Sequence, residues 1–222
     1  MSKTIDDPQC PVRSYMDDPH TRWSMKKPDF KTVDAKYLRE KTRSHPEGSL
    51  AKMVENLVKS WECESSHKSD VNDWGTIDRH NFVLTVNGGR KWTAADNVSM
   101  GNYLMFLDGS PLYDTGTVSN DEAQDAFRKC FPGGFPWEVL DVFSGPPTVS
   151  FTWRHWADYE GEFYGNAPTN ERIELYGSAV VRLNDNMKIT NFDIYYDPSP
   201  MLDKLYHGKC KFMQRKTCHN QR

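Results

Sequence analysis

The 222-residue sequence contains no run of about 20 apolar residues, the length a bilayer span requires, so no membrane-spanning segment is expected. Its start, M-S-K-T-I-D-D-P-Q-C, lacks an apolar stretch, so a secretory leader is not expected and a cytoplasmic location is. Neither charge is in large excess. The 28 basic and 31 acidic residues leave a formal charge of -3, which gives no general pull toward nucleic acid. Cysteines are few: five, an odd number, at positions 10, 63, 130, 210 and 218, with no C-x-x-C pair. Separate thiols in a reducing compartment are the expectation, and a metal site built from Cys210, Cys218 and His219 is not. Also missing are H-E-x-x-H, G-x-S-x-G, a calcium loop and a glycine-rich phosphate cradle. The Gly88-Gly89 and Gly133-Gly134 pairs stand in turns, without the strand–loop–helix setting such a cradle needs. No metal and no cofactor are expected.

Aromatic residues are plentiful: seven Trp, ten Tyr and eleven Phe, in a chain that is 37% hydrophobic. That argues for an ordered core. Residues 1–47 are polar and rich in breakers, and read as an N-terminal arm with one short helix at 33–42, pinned to the body by its aromatics. A domain over 48–208 and a basic C-terminal tail over 209–222 follow. Ser49 is a candidate N-cap, and Leu50, Met53, Val54, Leu57, Val58 and Trp61 recur at helical spacing. Residues 94–107 also read as a helix, weakened at Gly101-Asn102. Ser119 with Glu122 forms a capping-box pattern ahead of another helix. A strand at 82–86 meets Asn87-Gly88-Gly89, a turn signal. From residue 137 the period becomes that of strands. Four follow in succession, at W-E-V-L-D-V-F-S, T-V-S-F-T-W-R-H-W-A, R-I-E-L-Y-G-S-A-V-V-R-L and K-I-T-N-F-D-I-Y-Y-D, which predicts a curved antiparallel meander. The class is α+β.

In order along the chain stand W-E-C-E-S-S-H-K (61–68), V-N-G-G (86–89) and F-P-G-G-F-P-W-E-V-L (131–140). S-G-P-P (144–147), W-R-H-W (153–156), G-N-A-P-T-N-E (165–171) and Y-Y-D-P (195–198) follow. In these pieces the chain resembles the plant and fungal pathogen-related proteins, SnoaL-like members of the NTF2-like superfamily, over about residues 45 to 205. The resemblance implies an NTF2-like cone, a curved antiparallel sheet wrapped by helices around a cavity, and a homodimer. Relatives in that superfamily include polyketide cyclases, isomerases and dehydratases beside members that only bind or scaffold. Asp197 matches the acidic residue that cyclases carry at the end of the last strand. Asn170 stands where the pattern has glycine, and Tyr159 stands near the place of a cyclase histidine.

Cofactor-free proton chemistry needs a base near an acidic C–H and a donor for the oxygen that becomes negative. His155 fits a base because imidazole titrates near neutral pH; its other role is a structural, hydrogen-bonded histidine. Asp197 is either a second base, an orienting partner for His155, or a turn cap before Pro198. Strand alternation puts Phe151, Trp153 and His155 on one face and Thr152, Arg154 and Trp156 on the other. Tyr195 and Asp197 likewise share a face. One arrangement places Phe151, Trp153, His155, Tyr195 and Asp197 around the cavity; its rival turns Arg154 inward toward an anionic group. Tyr159 and Tyr176 are further donors, and Glu64 and His67 are candidates on the long helix. The expected function is binding of a small hydrophobic, oxygenated metabolite, with isomerase, cyclase or dehydratase chemistry as its enzymatic form. The alternative is a non-catalytic dimeric scaffold.

Overall fold

A computed structural model describes residues 3–207; the basic tail at 209–222, with Cys210, Cys218 and His219, lies outside the described residues. Helix α1 (Lys31–Glu40) precedes the long α2 (Leu50–His67). Ser49 caps α2 by accepting from the Lys52 amide, as its position before the apolar repeat predicts. Strands β1 (Val83–Val86) and β2 (Lys91–Trp92) come next, then α3 (Ala94–Met100) and α4 (Asn102–Leu107). The break between these two helices falls at Gly101, whose φ of 76° is open to glycine and unfavourable for other residues. Helix α5 (Asn120–Cys130) starts with the reciprocal Ser119–Glu122 capping box. Strands β3 (Trp137–Ser144), β4 (Thr148–Asp158), β5 (Arg172–Leu183) and β6 (Ile189–Tyr196) form the expected meander, closed by α6 (Ser199–Tyr206).

The expected cone is corrected by the strand order β2-β1-β6-β5-β4-β3. Strands β2 and β3 are separate edges that do not pair, so the sheet is open, neither closed nor strongly curled. Nor is it purely antiparallel, because β1 runs parallel to β6, with Leu84 opposite Phe192. The α+β class stands: helices pack on a mixed sheet. Val54, Val58 and Trp61 of α2, Leu104 of α4 and Phe127 of α5 share one buried core with Phe151, Phe192 and Ile194 of the sheet.

Polar and charged bonds tie residues 3–47 to one another and to this body. Arg13 donates to both carboxylate oxygens of Asp34 at 2.8 and 2.7 Å, and both side chains are buried. The Trp156 indole donates to Glu40 at 2.9 Å, the Arg43 amide donates to Glu138 at 2.7 Å, and His45 donates to the Val139 carbonyl of edge strand β3 at 2.8 Å. The bonds of Arg43 and His45 cover part of an edge that would otherwise offer free pairing groups.

The helix α2 is buried on two sides. Its apolar stripe faces the sheet, while Lys52, Glu55 and Lys59 form a second buried stripe. Lys52 pairs with Glu55 at 2.6 Å, the Tyr37 hydroxyl donates to Glu55, and the Lys59 ammonium stands 5.3 Å from the Tyr37 ring centre. Helix α1 is therefore the cover that makes these charges interior.

Candidate functional site

Three cross-strand rows build the floor of a cavity of about 400 Å³. Register aligns Trp137, His155 and Leu175; then Val139, Trp153, Gly177 and Tyr196; then Phe151, Ala179 and Ile194, and of these Trp137, His155, Leu175, Trp153, Tyr196 and Ile194 line the cavity. From above, α2 contributes Trp61 and Glu62, and the segment before and into α1 contributes Phe30 and Val33 to the wall. The size suits a small organic ligand.

Gly177 shapes this floor. A Cβ there would lie 2.3 Å from Cζ2 of Trp153 and 2.5 Å from the Tyr195 carbonyl oxygen. The missing side chain is what lets the indole lie across β5. Gly177→Ala is expected to cost about 1–3 kcal/mol through overpacking, read as a lower thermal midpoint. Unchanged stability would show that the floor yields freely.

The chemistry centres on Glu62 and His155. A carbonyl only accepts, so the 3.0 Å contact of His155 Nε2 with the Phe135 carbonyl places the proton on Nε2. The Nδ1 lone pair is left as an acceptor. The ring stacks on Phe135 with centres 3.5 Å apart. Burial pushes the His155 imidazolium down to about 4, against the opposing pull of Glu62, so the ring is neutral at pH 7. Burial by itself would raise the Glu62 carboxyl; Lys59, His155 and Arg13 outweigh it and hold the group below the ordinary carboxylate value. Lys59 bonds Oε2 of Glu62 at 3.2 Å, and no described residue donates to Oε1. Two proton acceptors, one ionised and one neutral, thus line an aromatic cavity. Trp61, Trp137 and Trp153 also line the cavity, and their indole N–H groups are buried with no acceptor among the described residues. Each such group costs about 1–3 kcal/mol unless a partner is supplied.

His67 also lines the cavity, its ring edge-on to Phe30 at 5.5 Å, and burial followed by the Arg128 charge pushes it down to about 4. Other expected site residues stand elsewhere. The pairing of Gly177 with both Trp153 and Tyr196 puts Tyr196, not Tyr195, on the cavity face. Tyr195 is exposed on the opposite face, and Asp197 accepts from the Ser199 amide at 2.9 Å ahead of α6. The expected His155–Asp197 pair is therefore not assembled, because β6 pairs one residue away from the register the pairing required. Arg154 turns away from the cavity, where it bonds Glu174, lies 3.5 Å from Glu138 and stacks on Trp156. Tyr176 shares that outer face and donates to Glu174 at 3.1 Å. Phe151 is core, against Phe192. The buried Tyr159 hydroxyl donates to the Asn166 carbonyl at 2.9 Å.

Glu64 points away from the cavity into a wholly buried cluster. It accepts from Lys68 at 3.0 Å, from the Gly75 and Thr76 amides at 2.6 and 2.9 Å, and from the Thr76 hydroxyl. Its neighbour Glu62 was the group to find. Ser65 and Ser66, which line the cavity where α2 stops presenting large residues, were the available signal. Among the described residues no cluster of His, Cys, Asp and Glu could hold a metal ion, and no helix is long and apolar enough to cross a membrane.

No family model matches the chain. A curated relative, the pathogen-related protein of Hordeum vulgare, is 32% identical over 177 residues, which span 77% of this chain and 75% of the relative. Among solved structures, the chain is similar to AclR of Streptomyces galilaeus, assigned there as a hydroxylase. That match has 17% identity and a TM-score of 0.44, over 72% of this chain and 98% of AclR. It is also similar to a protein of Jannaschia sp. CCS1 assigned as a SnoaL-like polyketide cyclase. There the identity is 13% and the TM-score 0.39, over 73% of this chain and 97% of the other.

Proposed function

The chain belongs to the pathogen-related protein family, and from its cavity we propose that it binds a small, hydrophobic, oxygenated metabolite and moves a proton on it. The observation that carries this reading is that Glu62 and His155 line one aromatic-walled cavity, with Lys59 bonding one oxygen of the carboxylate and the Phe135 carbonyl holding the imidazole proton on Nε2. In the proposed step Glu62 takes a proton from a C–H next to a carbonyl. The C–H electron pair becomes the carbon–carbon π bond of an enolate, and the carbonyl π pair moves onto its oxygen. If the ligand carries a β,γ double bond, the enolate is a dienolate, and return of the proton from Glu62 to the γ carbon completes an isomerisation; if it carries a β-hydroxyl, the enolate pair re-forms the carbonyl and an α,β double bond as that hydroxyl leaves as water with the proton from Glu62. Neither balance needs an oxidant or a reductant. The Ser66 hydroxyl, which accepts from the Asn102 amide at 2.8 Å and keeps its own proton, is the nearby donor for the enolate oxygen.

The test is exchange of deuterium from D2O into β-tetralone, a two-ring ketone with acidic C–H bonds, followed by proton NMR. The expected result is exchange faster than in buffer, reduced about 10²–10⁴-fold in Glu62→Gln. Exchange no faster than in buffer, or equal rates in both proteins, would overturn the proton-transfer reading. Native mass spectrometry of the purified protein checks binding separately, through a small molecule that is carried along and released on denaturation.

A further inference from the structure

The buried stripe on α2 does not stop at α1. Lys52, Glu55, Lys59 and Glu62 follow one another at steps of three, four and three residues, with alternating sign, and the last of them is in the cavity. Neighbours at such steps lie along one side of a helix. Three of the four are almost fully buried: Lys52, Glu55 and Lys59 are 1, 2 and 3% exposed. Buried charges of this kind cost more than they return unless paired with good geometry, so a stripe ending in a ligand cavity calls for an account of what it does there.

We propose that Lys59 is a positioning residue for the site. Held between the Tyr37 ring and one oxygen of Glu62, it fixes that carboxylate ionised, with its second oxygen left for the ligand's proton. This deepens the proton-transfer reading above and rests on it for its meaning, though its test does not.

Three observations support the assignment. The Lys59 side chain is only 4% exposed, while that of Glu62 is 27% exposed, so the lysine is the interior partner and the carboxylate the one with an open side. The bond is one-sided: Nζ meets Oε2 at 3.2 Å, and Oε1 has no donor among the described residues. Finally, Lys59 pairs with no other carboxylate among the described residues. Glu55, one turn earlier, is already engaged by Lys52 and by the Tyr37 hydroxyl, and Lys59 meets Tyr37 only through the ring face. Its charge is therefore directed to Glu62 alone. The cation–ring contact holds the ammonium without consuming its donors.

Several other charged or titratable groups act on Glu62. From β4 there is His155; from the N-terminal arm there is Arg13; on α2 itself there are Cys63 and His67, and Tyr103 reaches it from α4. Of these, Lys59 exerts the largest pull toward the ionised form, and it alone bonds the carboxylate. The arrangement separates two tasks. Lys59 works from outside the cavity wall and Glu62 from inside it, so a ligand meets one bare carboxylate oxygen and no competing ammonium.

The experiment is carboxyl carbon NMR of the full-length protein with glutamate labelled at Cδ, the Glu62 signal being assigned by its loss in Glu62→Gln. In the unsubstituted protein Glu62 is expected to titrate below the usual glutamate range. In Lys59→Met its midpoint is expected to rise by about 1–3 pH units, the usual effect of an adjacent opposite charge. Lys59→Arg, which keeps the charge, is expected to restore most of the shift. Lys59→Gln keeps a donor but no charge, and serves if the apolar variant does not fold. A Glu62 midpoint at or above the ordinary value in the unsubstituted protein would overturn the proposal. So would a midpoint that the neutral variants leave in place. No ligand and no turnover enter this measurement. Failure of the ketone exchange would therefore remove the reaction and leave the positioning role standing, and the reverse also holds.

Discussion

Glu64→Ala is expected to lower the stability of the protein by about 3–5 kcal/mol, the cost of leaving a buried charge without its partner. Both Glu64 and Lys68 are 0% exposed along their side chains. Removing the carboxylate strands the Lys68 ammonium, two backbone amides and the Thr76 hydroxyl at once. Lys68 keeps two acceptors, the carbonyls of Tyr15 at 2.8 Å and Asp73 at 2.7 Å, so its charge stays solvated by dipoles but loses its counter-ion. Glu64→Gln retains an acceptor and is expected to cost roughly half as much. Urea unfolding followed by circular dichroism measures both, and the thermal midpoint of the alanine variant should fall by about 10 °C. An alanine variant within about 1 kcal/mol of the unsubstituted protein would mean that the cluster is not the anchor its geometry describes.

The second large effect is a loss of stability in mild acid. His155 and His67 are both held down to about 4 by burial, and in the unfolded chain each titrates near 6.5. Above pH 7 neither state binds these protons, so the two rings add no slope. Between about pH 6.5 and 4 the unfolded chain binds up to two more protons than the folded one. Stability therefore falls as pH falls, with a limiting slope of about 2.7 kcal/mol per pH unit. Both rings keep some contact with solvent, which reduces the total loss to about 3–5 kcal/mol. Carboxylates held below their usual range, Glu62 among them, extend the loss to lower pH. Urea midpoints at steps from pH 7.5 to 4.5 test this. His155→Asn should flatten the slope by about half. A midpoint constant down to pH 4.5 would contradict the neutral, buried state of both rings.

Glu64, which carries the first effect, and Glu62, which adds to the second at lower pH, stand two residues apart on α2, and the sequence ranks them differently. The start of α2 was legible because a cap is local: Ser49 sits beside the amide it satisfies. The Ser119–Glu122 box was legible for the same reason. Which glutamate of W-E-C-E meets the cavity was not. Judged by the apolar stripe alone, Glu64 sits on the side of Trp61. The second buried stripe exists only because α1 covers it, and nothing near residue 62 in the sequence announces a contact with Tyr37. Strand register shows the same limit. The meander and the split of Arg154 from His155 follow from alternation within β4. The choice between Tyr195 and Tyr196 depends on pairing with β5 after an irregularity at Arg182/Leu183, and one residue of slip exchanges the faces. The open sheet was hidden for a related reason. It follows from β1 lying parallel to β6, a pairing between strands about 100 residues apart in the chain, as with Leu84 and Phe192.

Phe30 and Val33 form part of the cavity wall, and this has a consequence for the order of assembly. The bonds that hold their segment join residues far apart in the chain: Glu40 with Trp156, Arg43 with Glu138. Contacts with such long loops are slow to close, while the meander joins neighbours. The meander of β3 to β6 can thus be in place before there is any enclosed volume. Until the arm docks, Glu55 and Lys59 face water and Glu62 borders an open groove. Without the docked segment the aromatic floor would remain but the wall at Phe30 and Val33 would not, so the enclosed volume depends on residues that lie outside the sheet and α2.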